Sequence, residues 1–217
     1  MGALFEPFIL YIILFLSGSS GQSADIALSV TLAQELYRIL LYTIPSLALI
    51  WYLLLRKPLF NLNRIKPGIA DLISAGIAFP GLLLIGFSIA LSSPYFTGIQ
   101  QGPLIIPPSG KLTWTVLIFS CLLTGYLEES FFRFYLLSKF KMIGLDPVKA
   151  ALVSTAMFAI CHIYEGPWGF LNAALCGILL AFIFLRYRSL HGIAISHGLY
   201  NICSYIMLTL QNNQNVL

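Results

Sequence analysis

The sequence predicts an all-α protein, a polytopic bundle of about seven transmembrane helices (six to eight) that forms a single domain over residues 1–217. Of these residues 59% are hydrophobic and only 9% are charged, and the mean hydropathy is +0.88. A soluble domain carries about 25% charged residues, so this chain has too few polar side chains to cover its surface in water. Apolar runs of about 20 residues, the length that crosses the hydrocarbon, support the same interpretation.

We expect the spans to be separated by short loops rich in Pro, Gly and basic residues. They are predicted over residues 4–17, 27–55, 68–91, 112–138, 148–164, 168–185 and 192–210. For the short first span a cleaved signal peptide is the alternative. Pro45 is expected to kink the second span, and Pro147 suits the first turn of the fifth. Residues 92–110 are predicted to form an ordered or re-entrant loop.

Basic residues predict the orientation of the bundle. Nine of them fall on one side of the membrane: Arg56, Lys57, Arg64, Lys66, Lys139, Lys141, Lys149, Arg186 and Arg188. Only Arg38 and Lys111 fall on the other side, so the positive-inside rule places the N-terminus inside and the C-terminus outside. The net charge of +4 is explained by this topology, and we expect the lipid bilayer as partner and no nucleic acid.

Two carboxylates and a guanidinium lie within the fourth span, where each charge costs several kcal/mol unless it pairs, faces a cavity or acts in a reaction. Glu129 and Arg133 are four residues apart with the acid first, the better order for an ion pair on a helix. Glu128 lies about 100° around the helix from Glu129 and outside that pair. Glu128 is therefore the candidate general base, supported by Glu129 and Arg133. An ion-pair cluster that only fixes helix packing is the alternative.

Two further pairs with the same four-residue spacing follow, Phe158 with His162 and His197 with Asn201. His162 near a span end is an interfacial residue or part of a site. His197 and Asn201 on one helix face predict two donors that form an oxyanion hole, or a contact to a neighbouring helix. Glu128, His162 and His197 also make three possible zinc ligands with an open fourth position, so zinc stays open and no cofactor is certain.

Other intramembrane protease signatures are absent or lie outside the predicted spans. There is no HExxH zincin motif and no GxGD aspartyl motif, and the GxSG pattern of a serine elbow occurs only at residues 18–21, in the polar run that follows the first predicted span. The three pairs instead follow the order EExxxR, FxxxH and HxxxN, carried by Glu128, Glu129, Arg133, Phe158, His162, His197 and Asn201. In this the chain resembles the CPBP family of intramembrane proteases, which includes CaaX prenyl endopeptidases and bacterial abortive-infection (Abi) and bacteriocin-processing homologues. The resemblance covers about residues 112–205.

The resemblance implies an endopeptidase that works inside the bilayer of a bacterial cytoplasmic membrane. By it, Glu128 activates a water, His162 holds that water or a metal, and His197 and Asn201 stabilise the oxyanion. Phe158 counts with Glu129 as structural support. Members of the family have been described as metalloproteases and as glutamate proteases, and both mechanisms stay open. The implied substrate is a membrane-associated or prenylated protein or a peptide precursor, bound in a polar cavity between the fourth, fifth and seventh spans.

Two other functions fit the same residues. A non-catalytic immunity or scaffold protein would keep the polar cluster for packing. A proton-coupled transporter would use Glu128 as a relay. The chain has no visible internal repeat, and this counts against a transporter built from inverted repeats.

Overall fold

The computed structural model describes residues 27–56, 66–95 and 104–214, and their helices confirm an all-α membrane architecture. The helices are α1 (Leu32–Arg56), α2 (Ile69–Ser92), α3 (Lys111–Met142), α4 (Pro147–Ile160), α5 (Gly166–Tyr187) and α6 (Leu190–Gln214). They stand where the second to seventh spans are predicted. Within the described ranges, all of these helices except α4 are long and apolar enough to cross a membrane. The predicted first span lies outside the described residues.

The second span begins later than predicted, because residues 27–29 are a strand. Strand β1 (Ala27–Ser29) pairs in parallel with β2 (Leu104–Ile106), which lies in the predicted loop before α3. Helix α1 then begins with a capping box. The Thr31 hydroxyl accepts a hydrogen bond from the Gln34 backbone N–H at 3.3 Å, and the Gln34 side chain accepts one from the Thr31 N–H at 3.1 Å.

Helices α1 and α3 each contain a π-helical segment. In α1 it covers Arg38–Thr43 and lies just before Pro45. Proline has no N–H and its ring clashes with the carbonyl four residues earlier, so the backbone here departs from regular α geometry, at the place where a kink is predicted. In α3 it covers Ser130–Leu136, directly after the two adjacent glutamates. Single π turns of this kind are frequent at functional sites.

Helix α4 is too short to cross the bilayer. Asp146 caps it by accepting hydrogen bonds from the N–H groups of Val148 and Lys149 at 3.0 and 3.1 Å, and Pro147 occupies the first turn as predicted. Its 14 residues reach about 21 Å, whereas the hydrocarbon is about 30 Å thick. The predicted extension of this helix to Tyr164 is wrong. The chain instead turns at residues 161–162 and forms a 3-10 turn, Ile163–Glu165, within the depth of the bundle.

Close backbone contact between α3 and α6 aligns the two helices that carry the first and last motifs. A Cβ on Gly125 would lie 2.6 Å from the Ala194 carbonyl oxygen and 2.8 Å from the Gly198 nitrogen. Small residues allow such contact, which drives helix association in membranes. Because Gly125 is one turn before Glu128 and Gly198 follows His197, this contact brings those two side chains together.

Helix α2 fixes the start of α6 by capping it from outside. The Asp71 carboxylate accepts hydrogen bonds from the Gly68 N–H at 2.9 Å, the Gly192 N–H at 3.3 Å and the Ser189 hydroxyl. The Ser74 hydroxyl donates to Ser189 at 2.7 Å, and both serine side chains occupy the space that a Cβ on Gly192 would need. The cap therefore sets the depth and rotation of α6.

Gly125→Ala is expected to lower the stability of the protein by about 1–3 kcal/mol, because its methyl group forces α3 and α6 apart. The measurement is thermal unfolding in detergent. Gly76→Ala is the matched control: Gly76 also lies within a helix, but a Cβ at this position would have no atom within 4 Å. Equal melting temperatures for the two variants would show that the α3–α6 contact is not tight.

Candidate active site

One cavity of about 320 Å³ is lined by all four residues predicted to be catalytic, Glu128, His162, His197 and Asn201. They come from α3, the turn after α4, and α6. The cavity also extends beyond the three predicted spans, because α1 and α5 contribute to its wall. Eight polar lining residues were not singled out as site residues from the sequence: Arg38, Thr124, Tyr164, Glu165, Asn172, Tyr200, Ser204 and Tyr205.

Glu129 is fully buried and joins two helices through its two carboxylate oxygens. Its Oε2 lies 3.2 Å from the Nε of Arg133, also fully buried, as an ion pair without hydrogen-bond alignment. Its Oε1 accepts a hydrogen bond from His197 Nδ1 at 2.9 Å. The spacing on the helix predicts the first contact but not the second. Glu129 thus orients the imidazole of α6 while it compensates the charge of Arg133.

Arg133 is held by groups from α4 and α5 as well as by Glu129. Its Nη2 donates to the Gly177 carbonyl at 3.2 Å, and its guanidinium carbon lies 4.6 Å from the centroid of the Phe158 ring. A Cβ on Gly177 would come within 3.3 Å of Nη2, so the small residue makes room for the cation. The carboxylate, the carbonyl and the aromatic face together compensate a charge that the bilayer interior would otherwise disfavour.

Phe158 is the aromatic surface on which the polar side chains pack. Its buried ring lies 4.5 Å from the ring of His162 and 5.9 Å from that of His197, measured between centroids. Arg133 also packs on this ring, and Phe132 contacts it in a T-shaped arrangement. Phe158 therefore contacts one residue of each of the three motifs. Its position four residues before His162 lets its ring pack against that imidazole as well.

The backbone fixes the tautomer of His162, although this residue lies in a turn and not on the helix as predicted. His162 Nδ1 lies 2.8 Å from the Phe158 carbonyl oxygen. A carbonyl only accepts hydrogen bonds, so Nδ1 must carry the proton. In the neutral ring Nε2 is then left as an acceptor, able to receive a hydrogen bond from a water in the cavity.

Hydrogen-bond partners also indicate that a proton lies between His197 and Glu128. Because the Glu129 carboxylate accepts from Nδ1, the second nitrogen of His197 is Nε2, which lies 3.5 Å from Glu128 Oε2. A bare Nε2 and a carboxylate would repel each other, so either the imidazole or the Glu128 carboxyl holds a proton there. The Glu128 side chain is 18% exposed, whereas that of Glu129 is not exposed, and Glu128 is thus the acid that a substrate or water can reach.

The residues present do not form a complete metal site. Within residues 27–56, 66–95 and 104–214, no group of three His, Cys, Asp or Glu side chains is arranged to hold a metal ion. The zinc set left open from the sequence, Glu128, His162 and His197, shares the cavity but does not converge as three ligands.

Two charged residues of the cavity were missed because the sequence placed them elsewhere. Glu165 ends the 3-10 turn that begins directly after His162, and it occupies the N-cap position of α5 without a side-chain capping hydrogen bond. The sequence did contain a signal for Glu165 as a site residue: it is a third carboxylate in an apolar region, three residues after the motif histidine His162. Arg38 was counted only as a basic residue near the outer membrane surface, whereas its side chain lines the cavity.

Comparison with known proteins concerns the segment that carries all three motifs. Neither the curated proteins nor the solved structures contain a match to the chain. Residues 110–203, rather less than half of the chain, match the model of the family described as "Type II CAAX prenyl endopeptidase Rce1-like". This match confirms the resemblance carried by the motifs: the segment that carries them is similar to the Rce1-like family of CAAX-type membrane proteases.

Proposed function

We propose that this integral membrane protein is an endopeptidase that hydrolyses a peptide bond inside the bilayer, with Glu128 activating the attacking water. The observation that carries the proposal is the meeting of Glu128, His162, His197 and Asn201 in one cavity, from three separate parts of the chain. The match of residues 110–203 to a protease family supports it. The cavity, of about 320 Å³, provides space for water and for a short stretch of peptide.

The reaction begins with a water bound between Glu128 and the Nε2 atom of His162. His162 accepts a hydrogen bond from the water through Nε2, because its Nδ1 proton is committed to the Phe158 carbonyl. Glu128 removes one proton as the water oxygen attacks the carbonyl carbon of the scissile bond. A positioned general base of this kind contributes about 10²–10⁴-fold to the rate.

The negative charge that develops on the carbonyl oxygen is stabilised from α6. His197, placed between two carboxylates, holds its proton on Nε2 and donates it as a hydrogen bond to the oxyanion. Asn201, one turn later on the same helix and in the same cavity, donates its side-chain amide. Once Glu128 has taken the proton from water it is neutral, so the donor at Nε2 is released from Glu128 to the substrate oxygen.

Collapse of the tetrahedral intermediate completes the reaction. The carbon–nitrogen bond breaks, Glu128 returns its proton to the leaving amine, and the new carboxylic acid passes the second proton of the water to the released amine. Glu128 is then a carboxylate again and His197 again pairs with it. The proposed substrate is a membrane-associated or prenylated protein or a peptide precursor, and the proposed location is the cytoplasmic membrane of a bacterium.

Glu128→Gln is expected to reduce cleavage at least about 100-fold, because an amide cannot accept the proton of the water. The measurement is hydrolysis of a fluorogenic prenylated CAAX peptide by the protein in liposomes. The melting temperature should stay close to that of the wild type, since this side chain is partly exposed to the cavity. Cleavage that persists in Glu128→Gln would refute the role of general base.

The same liposomes distinguish the two rival functions. A scaffold or immunity protein would cleave no peptide, and its biological activity would follow the amount of folded protein in every variant. A transporter would show a proton flux that Glu128→Gln abolishes. Neither result is compatible with the proposed peptidase.

Glu129→Gln is expected to affect stability first. It leaves the fully buried guanidinium of Arg133 without its counter-charge, and breaking a buried pair in this way costs about 3–5 kcal/mol. Thermal unfolding should therefore separate Glu129→Gln, with a lower melting temperature, from Glu128→Gln. If the two adjacent substitutions lower the melting temperature equally, Glu129 is not the structural partner of Arg133.

Asn201→Ala is expected to lower kcat about 10²–10³-fold with little change in KM, as for the loss of one oxyanion-hole donor. Steady-state kinetics on the same peptide measure the two constants separately. Ser88→Ala, on the exposed side of α2, is the control and should leave both constants unchanged. A change in KM alone would place Asn201 in substrate binding and not in oxyanion stabilisation.

A further inference from the structure

Glu165 is a carboxylate in the cavity wall that the proposed mechanism does not use. It lies in the turn that carries His162, where its backbone N–H donates to the His162 carbonyl at 3.0 Å. Its side chain interacts electrostatically with His162, Glu128 and His197, so the carboxylate lies close to the proposed reaction centre. Glu165 is partly exposed, and a ligand in the cavity can therefore reach it.

Glu165 differs from the other charged residues of the cavity wall because it has no oppositely charged partner. Arg38 pairs with Glu35 at 2.6 Å, and Glu128 lies 3.5 Å from His197. Among the described residues, no Lys, Arg or His forms an ion pair with Glu165. Ionisable side chains inside a membrane bundle usually pair with one another or mark the path of a substrate or ion. The missing partner of Glu165 is therefore expected to come from outside the protein.

The surroundings of Glu165 favour an anion but lack a full positive charge. Glu165 is the N-cap residue of α5, where the positive end of the helix dipole stabilises a carboxylate. The Tyr164 hydroxyl beside it is a neutral donor. A Cβ on Gly169 would lie 3.0 Å from Glu165 Oε2, so the absence of a side chain at Gly169 makes room for the carboxylate. Glu165 is thus held at the cavity wall with its charge only partly compensated.

The charges around the reaction centre show the same deficit. The pair of Glu129 with Arg133 is neutral. Glu128 is balanced by His197 when the imidazole carries a proton. An ionised Glu165 therefore leaves this part of the cavity with one negative charge in excess. A ligand with a single positive charge makes the set neutral, which is the form that a low-dielectric interior tolerates best.

We infer that Glu165 binds a Lys or Arg side chain of the substrate next to the cleaved bond, so that the enzyme selects peptides with a basic residue at this position. This rests on the proposed peptidase function and adds a substrate class to it. The residue is expected near the cleaved bond because Glu165 shares a turn with His162, which is proposed to hold the attacking water.

A basic side chain fits the chemistry of this position better than a metal ion does. Within the described ranges no three His, Cys, Asp or Glu side chains are arranged as metal ligands, and this includes the surroundings of Glu165. A single carboxylate is sufficient to bind an ammonium or guanidinium group through charge-assisted hydrogen bonds. The long apolar stem of Lys or Arg can lie along the aromatic and aliphatic wall of the cavity while its charged end reaches Glu165.

The test uses the fluorogenic prenylated peptide in liposomes of uncharged phosphatidylcholine, to which Lys does not adsorb. The prenylated cysteine is kept, and its neighbours on both sides are replaced one at a time by Lys or by norleucine, which has the same apolar stem without the ammonium group. The wild type is expected to favour Lys at least about tenfold in kcat/KM at one of these positions. In Glu165→Gln the ratio of Lys to norleucine at that position should fall to about one.

Reversal of the charge separates recognition from a structural role. Glu165→Lys should favour a peptide with Glu at the selected position over the same peptide with Gln, a rescue that a purely structural residue does not give. Asp146→Asn is the control, because it removes an exposed carboxylate and keeps a good N-cap for α4. It should keep the wild-type ratio. An equal loss of activity on Lys and norleucine peptides in Glu165→Gln would overturn the inference. So would a wild type that cleaves the two peptides equally at every position.

Failure of the proposed function would look different, because then the wild type cleaves no peptide. The cation site is tested in that case by binding alone. A tripeptide with blocked ends and a central Lys should raise the melting temperature of the wild type more than its norleucine analogue, and Glu165→Gln should abolish the difference. Equal shifts with the two tripeptides would overturn the inference independently of catalysis.

Discussion

The site depends on one buried carboxylate. Glu129 is inaccessible to solvent, yet it contacts Arg133 on its own helix and His197 on α6. An unpaired charge at this depth would cost several kcal/mol, so neither Glu129 nor Arg133 is stable there without the other. Glu129 contacts Arg133 with one carboxylate oxygen and His197 with the other. The same side-chain position therefore both compensates the charge of Arg133 and orients the imidazole of His197. The proposed reactive acid, Glu128, is the preceding residue on the same helix, so the contacts of Glu129 also fix the backbone position of Glu128.

The second requirement is that His162 lies deep enough in the bundle to reach the cavity. This is possible because α4, the helix that precedes it, is too short to cross the bilayer. Helix α4 begins at Pro147 and is about 21 Å long, so in a bilayer with about 30 Å of hydrocarbon we expect the turn that carries His162 to lie between the membrane surfaces. Exposed backbone groups are tolerated there only when protein or a cavity surrounds them. In this turn the His162 N–H donates to the Ala159 carbonyl at 2.9 Å and the Glu165 N–H to the His162 carbonyl at 3.0 Å. The turn thus satisfies its own backbone while it forms a wall of the cavity.

Local sequence patterns predicted those features of the structure that depend on interactions between residues close in sequence. The four-residue spacing identified the pair Glu129–Arg133, and Pro147 identified the first turn of α4. Contacts between helices were not predicted, because no local period encodes them: the bond from Glu129 to His197 is one example. The end of α4 was placed too late because residues 161–164 contain no Pro or Gly that would mark the end of a helix. The position of Arg38 in the cavity depends on Ser120, 82 residues away.

The charges of the four neighbouring site residues balance one another. With a proton on His197, the sequence of groups Arg133, Glu129, His197 and Glu128 alternates in sign and sums to zero. A neutral set is the form that a low-dielectric interior tolerates best. In the proposed reaction Glu128 becomes neutral as the substrate oxygen becomes negative, so one negative charge moves a few Å and none is created. His197, fixed by Glu129, faces that charge before and after the transfer, and this removes the need for solvent to reorganise at the moment of attack.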